Sequence, residues 1–126
     1  GKKPMSTMAP TIIFDENNEL FLITGSPGGS DIPAAILRVI TGVIDFDLDI
    51  GEATMLPRIH KDWPYVGLEH ERAVSRDIVR RLKSMGHKTE YENTIGSTQS
   101  IHVINGTNYG FADLRRPNAG VSVQTN

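Results

Sequence analysis

Leu22-Ile23-Thr24-Gly25-Ser26-Pro27-Gly28-Gly29-Ser30-Asp31 carries a strand into a helix through a glycine turn, and the rest of the chain is organised around it. The apolar run Leu20 to Ile23 reads as the end of a strand, and three glycines and a proline then turn the chain. After the turn, Ile32, Ala35, Ile36, Val39, Ile40 and Val43 recur at helical spacing. A strand that stops at a glycine turn and feeds a helix leaves backbone N–H groups at the positive end of that helix. Such a place suits an anion, either a phosphate or the oxyanion of an acyl-transfer reaction. Three readings stand side by side here. A phosphate cradle needs a Lys and a Ser/Thr after the last glycine, whereas Ser30 and Asp31 follow Gly29. The dinucleotide fingerprint is absent too, because the glycines fall at 25, 28 and 29. A tight structural turn and an oxyanion site remain.

On either side of the turn the pattern is α+β. Thr11-Ile12-Ile13-Phe14 is β-branched and aromatic, and the polar turn Asp15-Glu16-Asn17-Asn18 joins it to a strand over Glu19–Ile23, which makes a hairpin. The helix after the glycines can be capped by Ser30 or Asp31, takes Pro33 in its first turn, and has few charges, so it should be buried against a sheet. Gly42 inside it points to a close packing contact. Asp49 caps a short helix over Ile50–Leu56, ended by Pro57. Arg58-Ile59-His60 and Val66–His70 read as extended. Ser75 caps a third helix whose apolar face is Ile78, Val79, Leu82 and Met85 and which closes at Gly86. Thr89–Tyr91 is a weak strand. Thr98–Ile104 alternates, Asn105-Gly106 turns, and Tyr109–Asp113 returns. The tail from Arg115 is irregular. The expected architecture is an antiparallel sheet with helices layered on it, over residues 1–126 as a single domain or fragment.

With 126 residues and a net charge of −2, the composition does not suggest a nucleic-acid partner. The absence of cysteine excludes disulfides and a thiolate nucleophile. His60, His70, His87 and His102 are not at metal-ligand spacing, so each reads as a surface or packing histidine, and no metal or cofactor is expected. Asp45, Asp47 and Asp49 read as a solvated turn, and Arg115-Arg116 beside Asp113 as either a surface pair or, in preference, a structural ion pair. The hydroxyls of Ser6 and Thr7, between Pro4 and Pro10, are either a polar loop or donors for a carboxylate. The start Gly1-Lys2-Lys3-Pro4 suggests a piece of a longer protein.

An ordered set of motifs then comes into view. Pro4-Met5-Ser6-Thr7-Met8-Ala9-Pro10-Thr11-Ile12 and Thr24-Gly25-Ser26-Pro27-Gly28-Gly29-Ser30 are followed by Glu52-Ala53, Pro57-Arg58-Ile59-His60, Gly96–Ile101 and Tyr109-Gly110…Asp113…Arg115-Arg116-Pro117. Together they resemble the small subunit of the γ-glutamyltransferases (γ-glutamyltranspeptidases), over nearly the whole chain. The resemblance implies an N-terminal-nucleophile hydrolase with a four-layer αββα sandwich. Its precursor cuts itself, and the new N-terminal Thr attacks the γ-glutamyl amide of glutathione and similar compounds. By position, Gly28 and Gly29 match the oxyanion-hole glycines, and Ser6 and Thr7 match the pair that holds the glutamyl α-carboxylate. The resemblance also implies a periplasmic or extracellular location. Three departures stand out: Ser6-Thr7 where the family usually has Ser-Ser, Asp31 where Arg is common, and Lys61-Asp62 where His-Gln is frequent.

The nucleophilic Thr is absent from this chain, and Gly1 cannot replace it. The chain is therefore expected to be the C-terminal part of the small subunit and inactive alone. Its expected partners are the large subunit and the N-terminal part of the small subunit, with self-association where these are missing. Two alternatives remain: a related acylase of the glutaryl or cephalosporin type, and a non-catalytic fragment.

Overall fold

The computed structural model describes residues 1–2, 8–65 and 67–122 and divides into two compact units. One unit joins Gly1–Leu56 to Gly96–Asn126, and the other is Pro57–Ile95. Ser6 and Thr7 lie outside the described residues.

The first unit holds a sheet in the order β1 (Thr11–Phe14), β2 (Leu20–Gly25), β6 (Gln99–Ile104), β7 (Thr107–Ala112), antiparallel throughout. The expected first hairpin forms because the Asp15 carboxylate accepts the Asn17 and Glu19 N–H groups, at 2.9 and 2.8 Å. Asn105 and Gly106 make the second, with φ of 51° and 74°, as a two-residue turn of the right hand requires. The register slips between Ile13 and Phe14, leaving Phe21 as the extra residue of a bulge, and both Phe21 and Leu22 pack into the core.

Helix α1 (Ile32–Ile44) and helix α2 (Ile50–Met55) lie on this sheet. Leu22, Val39, Val43, Ile50 and Ala53 form the core between them, with Ile13, Phe21, Ile40, Leu48 and Phe111 around it. Gly42 is the close contact its position announced: a methyl there would lie 2.8 Å from the Ala53 Cβ. Asp49 closes a capping box on α2, accepting the Glu52 N–H at 2.8 Å.

The cap expected on α1 is different. Asp31 precedes the helix but makes no side-chain cap hydrogen bond, because it sits in the helical region (φ −73°, ψ −16°) at the end of a 3-10 turn over Gly29–Asp31. An N-cap side chain reaches back from extended backbone, which Asp31 lacks.

The two faces of the sheet are unlike. Beneath the helices, Thr24 and Ser100 share a hydrogen bond of 2.8 Å and His102 lies edge-on to Phe21. The opposite face carries Ile12, Ile23 and Ile101 in cross-strand register, with Ile12 and Ile101 exposed.

In the second unit β3 (Ile59–His60) pairs with β4 (Gly67–His70) antiparallel, and β4 with β5 (Lys88–Tyr91) parallel. The parallel pair lies in this smaller sheet, and the expected antiparallel sheet is that of the first unit. The cause of the parallel pairing is the intervening α3 (Arg76–Ser84), a crossover that returns the chain in the same direction. Ser75 caps α3 through the Ile78 N–H at 3.3 Å, and Gly86 ends it with φ 92°. Of its predicted apolar face, Val79 and Leu82 are half-buried, while Ile78 and Met85 stay exposed, because β5 is the element that α3 packs on. The buried Glu71 carboxylate accepts the N–H groups of Arg58 at 3.0 Å and Ile95 at 3.1 Å, and the Arg58 guanidinium donates to the Ile95 carbonyl at 2.9 Å. Among the described residues no helix is long and apolar enough to cross a membrane.

Candidate oxyanion turn

β2 ends at Gly25, and the chain turns through Ser26, Pro27, Gly28 and Gly29 into α1. Gly28 has φ 144° and Gly29 φ 62°, both in the region that side chains rarely adopt. The two glycines have different reasons to be glycine. A methyl on Gly28 would lie 3.2 Å from the Gly96 Cα, whereas the corresponding direction from Gly29 is open. Thus a side chain at position 28 would meet the protein, whereas one at position 29 would meet none of the described residues. The Gly28 carbonyl accepts the Asp31 N–H at 3.2 Å, and the Gly29 carbonyl accepts the Ile32 N–H, so the turn runs directly into the helix. Its N–H groups share the positive end of α1.

The loop that borders the turn, Gly96-Ser97-Thr98, is buried. The Ser26 hydroxyl accepts the Ser97 N–H at 2.9 Å and donates to the Pro27 carbonyl at 2.7 Å. Gly96, with φ 65°, leaves no room for a side chain: a methyl there would lie 2.6 Å from the Ala35 Cβ and 2.9 Å from the Ser26 Oγ. Thr98 donates its N–H to the Asp113 carboxylate at 3.0 Å, and the Asp113 N–H returns to the Thr98 carbonyl at 3.1 Å. Asp113 is fully buried and pairs with Arg115 at 3.1 Å. Arg115 also donates to the carbonyls of Thr54 and Leu56, each at 2.9 Å. The ion pair expected of the Arg115-Arg116 dipeptide therefore belongs to Arg115, and Arg116 is exposed.

Gly28 and Gly29 thus occupy one turn at the start of α1. The α-carboxylate donors matched at Ser6 and Thr7 fall outside the described residues. The sequence places Ser26 in the turn but does not show that its hydroxyl bonds Ser97 or that Gly96 backs onto Gly28, although both lie within motifs that carried the resemblance. Nothing local marks a contact across some seventy residues. Of the histidines, His102 is buried beneath the helices beside Phe21, and burial lowers its pKa below the ordinary 6.5. His60 pairs with Asp62 at 3.0 Å.

The family model for γ-glutamyltranspeptidase matches residues 1–123. The chain belongs to the γ-glutamyltranspeptidase family. It is 40% identical over 116 residues to the glutathione hydrolase proenzyme of Escherichia coli, covering 91% of this chain and 20% of that protein. It is 34% identical over 126 residues to the proenzyme of Bacillus subtilis strain 168, covering 98% of this chain and 21% of that protein. The chain thus spans about a fifth of the length of these relatives. Among solved structures, a mutant γ-glutamyltranspeptidase of Helicobacter pylori superposes with a TM-score of 0.85 at 38% identity, over 91% of this chain and 64% of that one. A cephalosporin acylase of Bacillus halodurans superposes at 0.79 and 23% identity, over 87% of this chain and 21% of that one, a likeness of fold alone. The α+β fold of this chain is that of the γ-glutamyltranspeptidases.

Proposed function

We propose that this chain is the C-terminal part of the catalytic subunit of a γ-glutamyl transferase or hydrolase acting on glutathione and other γ-glutamyl compounds. A Thr nucleophile in another part of the parent protein attacks the γ-carbonyl, and the carbonyl oxygen takes up the negative charge. The N–H groups of Gly28 and Gly29 stabilise that oxyanion. The tetrahedral adduct collapses with loss of the amine, and water or an acceptor amine then takes the acyl group from the Thr oxygen. Ser6 and Thr7 bind the glutamyl α-carboxylate. The observation that supports this reading is the turn itself, two adjacent glycines of positive φ feeding a helix.

The 126-residue chain supplies no nucleophile by this reading, so it should not turn over a γ-glutamyl anilide by itself. The exposed Ile12 and Ile101 on the sheet face away from the helices support a partner in the rest of the parent, or self-association in its absence. The proposal extends to a periplasmic or extracellular location, on the resemblance alone.

Kinetics of the complete enzyme test the assignment. Gly29→Pro removes one oxyanion donor and, because proline holds φ at about −65° where Gly29 has 62°, reshapes the turn as well, so kcat should fall by at least about 10²–10³-fold, with a smaller effect on KM. Ser6→Ala should instead raise KM more than it lowers kcat, because the carboxylate contact is made in ground state and transition state alike. A folded Gly29→Pro enzyme with wild-type kcat would leave the turn merely structural. Turnover of a glutaryl anilide in preference to the γ-glutamyl one would favour the acylase alternative.

A further inference from the structure

We infer that Ser26 is a positioning residue for the glycine turn and that Gly96-Ser97-Thr98 is the strap against which it holds that turn. This inference rests on the oxyanion reading of Gly28 and Gly29.

The argument starts with one peptide plane. The Ser26 hydroxyl donates to the Pro27 carbonyl at 2.7 Å. That carbonyl and the Gly28 N–H belong to the same planar unit and point in opposite directions. Gripping the oxygen therefore sets the direction of the N–H. Glycine at 28 offers little torsional resistance of its own, since φ near 144° is one of many values open to it. The direction must come from outside the residue, and Ser26 supplies it.

The same hydroxyl is held in turn. It accepts the Ser97 N–H at 2.9 Å, so its oxygen cannot rotate away without breaking a second bond. The strap closes on the turn from the other side as well, with the Gly96 Cα only 3.2 Å from where a Gly28 side chain would begin. Ala35 of α1 limits Gly96 in turn, as a methyl on Gly96 would come within 2.6 Å of its Cβ. At its far end the strap is fixed by the Thr98–Asp113 pair of hydrogen bonds, and Asp113 by Arg115. A continuous set of bonds thus runs from the carbonyls at the end of α2, through Arg115, Asp113, Thr98 and Ser97, to Ser26 and the plane that bears the Gly28 N–H.

Preorganisation of this kind matters only where charge develops. A donor aimed at the tetrahedral oxyanion makes its full contribution in the transition state. Loosening it lowers kcat and leaves KM nearly unchanged. A misplacement of about 1 Å at a reacting centre costs on the order of 10²-fold, and loss of one fixing hydrogen bond should cost less, about 10-fold.

The test uses the complete enzyme and three measurements on Ser26→Ala beside Gly29→Pro. Circular dichroism establishes folding. Steady-state kinetics with a γ-glutamyl anilide should give a fall in kcat of about 10-fold for Ser26→Ala with KM changed by less than about 2-fold. Inhibition by a boronic acid analogue of glutamate, which forms a tetrahedral anion on the nucleophile, should weaken by the same factor as kcat, while inhibition by glutamate itself should not. A merely structural Ser26 would lower the melting temperature and leave both kcat and the boronate-to-glutamate ratio unchanged. If Gly29→Pro lowers kcat and folded Ser26→Ala does not, the positioning inference is wrong and the oxyanion reading stands. If neither variant lowers kcat, the oxyanion reading fails and the positioning inference falls with it.

Discussion

Replacing Gly42 by Ala sets two known effects against each other. Ala is the better helix former by about 0.8–1.0 kcal/mol. A methyl on Gly42 would, however, lie 2.8 Å from the Ala53 Cβ, 3.2 Å from the Ala53 Cα and 3.7 Å from the Leu56 Cδ1. Carbon atoms rest at about 3.5–4.0 Å, so α1 and α2 must separate locally by roughly 1 Å. No rotamer can relieve the clash, because Ala53 has none, and it is fully buried. Overpacking of this sort costs about 1–3 kcal/mol. The net expectation is destabilisation by about 1 kcal/mol, a fall of about 4 °C in Tm for a protein of this size. Thermal unfolding followed by circular dichroism measures it. The double variant Gly42→Ala with Ala53→Gly restores the space. It should be more stable than the sum of the two single changes by about 1 kcal/mol. A Gly42→Ala protein as stable as the parent, or strict additivity in the double variant, would refute the packing argument.

Two further outcomes concern buried charge. Asp113→Asn leaves the Arg115 guanidinium, whose side chain is 10% exposed, without its carboxylate. Breaking a buried pair from one side costs about 3–5 kcal/mol, and the retained bonds of Arg115 to Thr54 and Leu56 place the expectation near the lower end. A urea midpoint shifted by less than the equivalent of about 1 kcal/mol would remove Asp113 from the hub. His102 has a folded pKa below its ordinary 6.5, so the unfolded chain binds the proton more readily. Its contribution is complete above pH 6.5 and is lost as pH falls through the folded value. His102→Gln should flatten the loss of stability between neutral and mildly acidic pH, and an unaltered pH profile would show that another group causes it.

The local order of elements was legible in the sequence because each signal acts over a few residues. Asp15 in the first turn, Asn105-Gly106 in the second, Asp49 and Ser75 as caps and Gly86 as helix stop all do in the structure what their chemistry dictates. The exception was the cap on α1, where the glycine turn tightens into a 3-10 turn and places Asp31 in helical backbone. The glycine turn itself was legible for the same local reason.

Pairings between distant segments were another matter. The alternation of Thr98 to Ile104 announces a strand, but not which face meets the helices. The polar set Ser100 and His102 lies beneath them, and Ile101 faces away. That choice depends on register with β2, where Leu22 pairs with His102. The parallel partner of β4 is likewise set by the crossover through α3, not by the composition of either strand. The elements, the turn and the family motifs are written in local sequence, since propensity, capping and glycine chemistry are properties of neighbours along the chain. That Ser97 meets Ser26, that Gly96 backs onto Gly28 and that Asp113 holds Thr98 follows from the folded chain alone. Those contacts join residues fifteen to seventy-one positions apart, and they form only when the sheet closes and carries both ends of the turn to the same place.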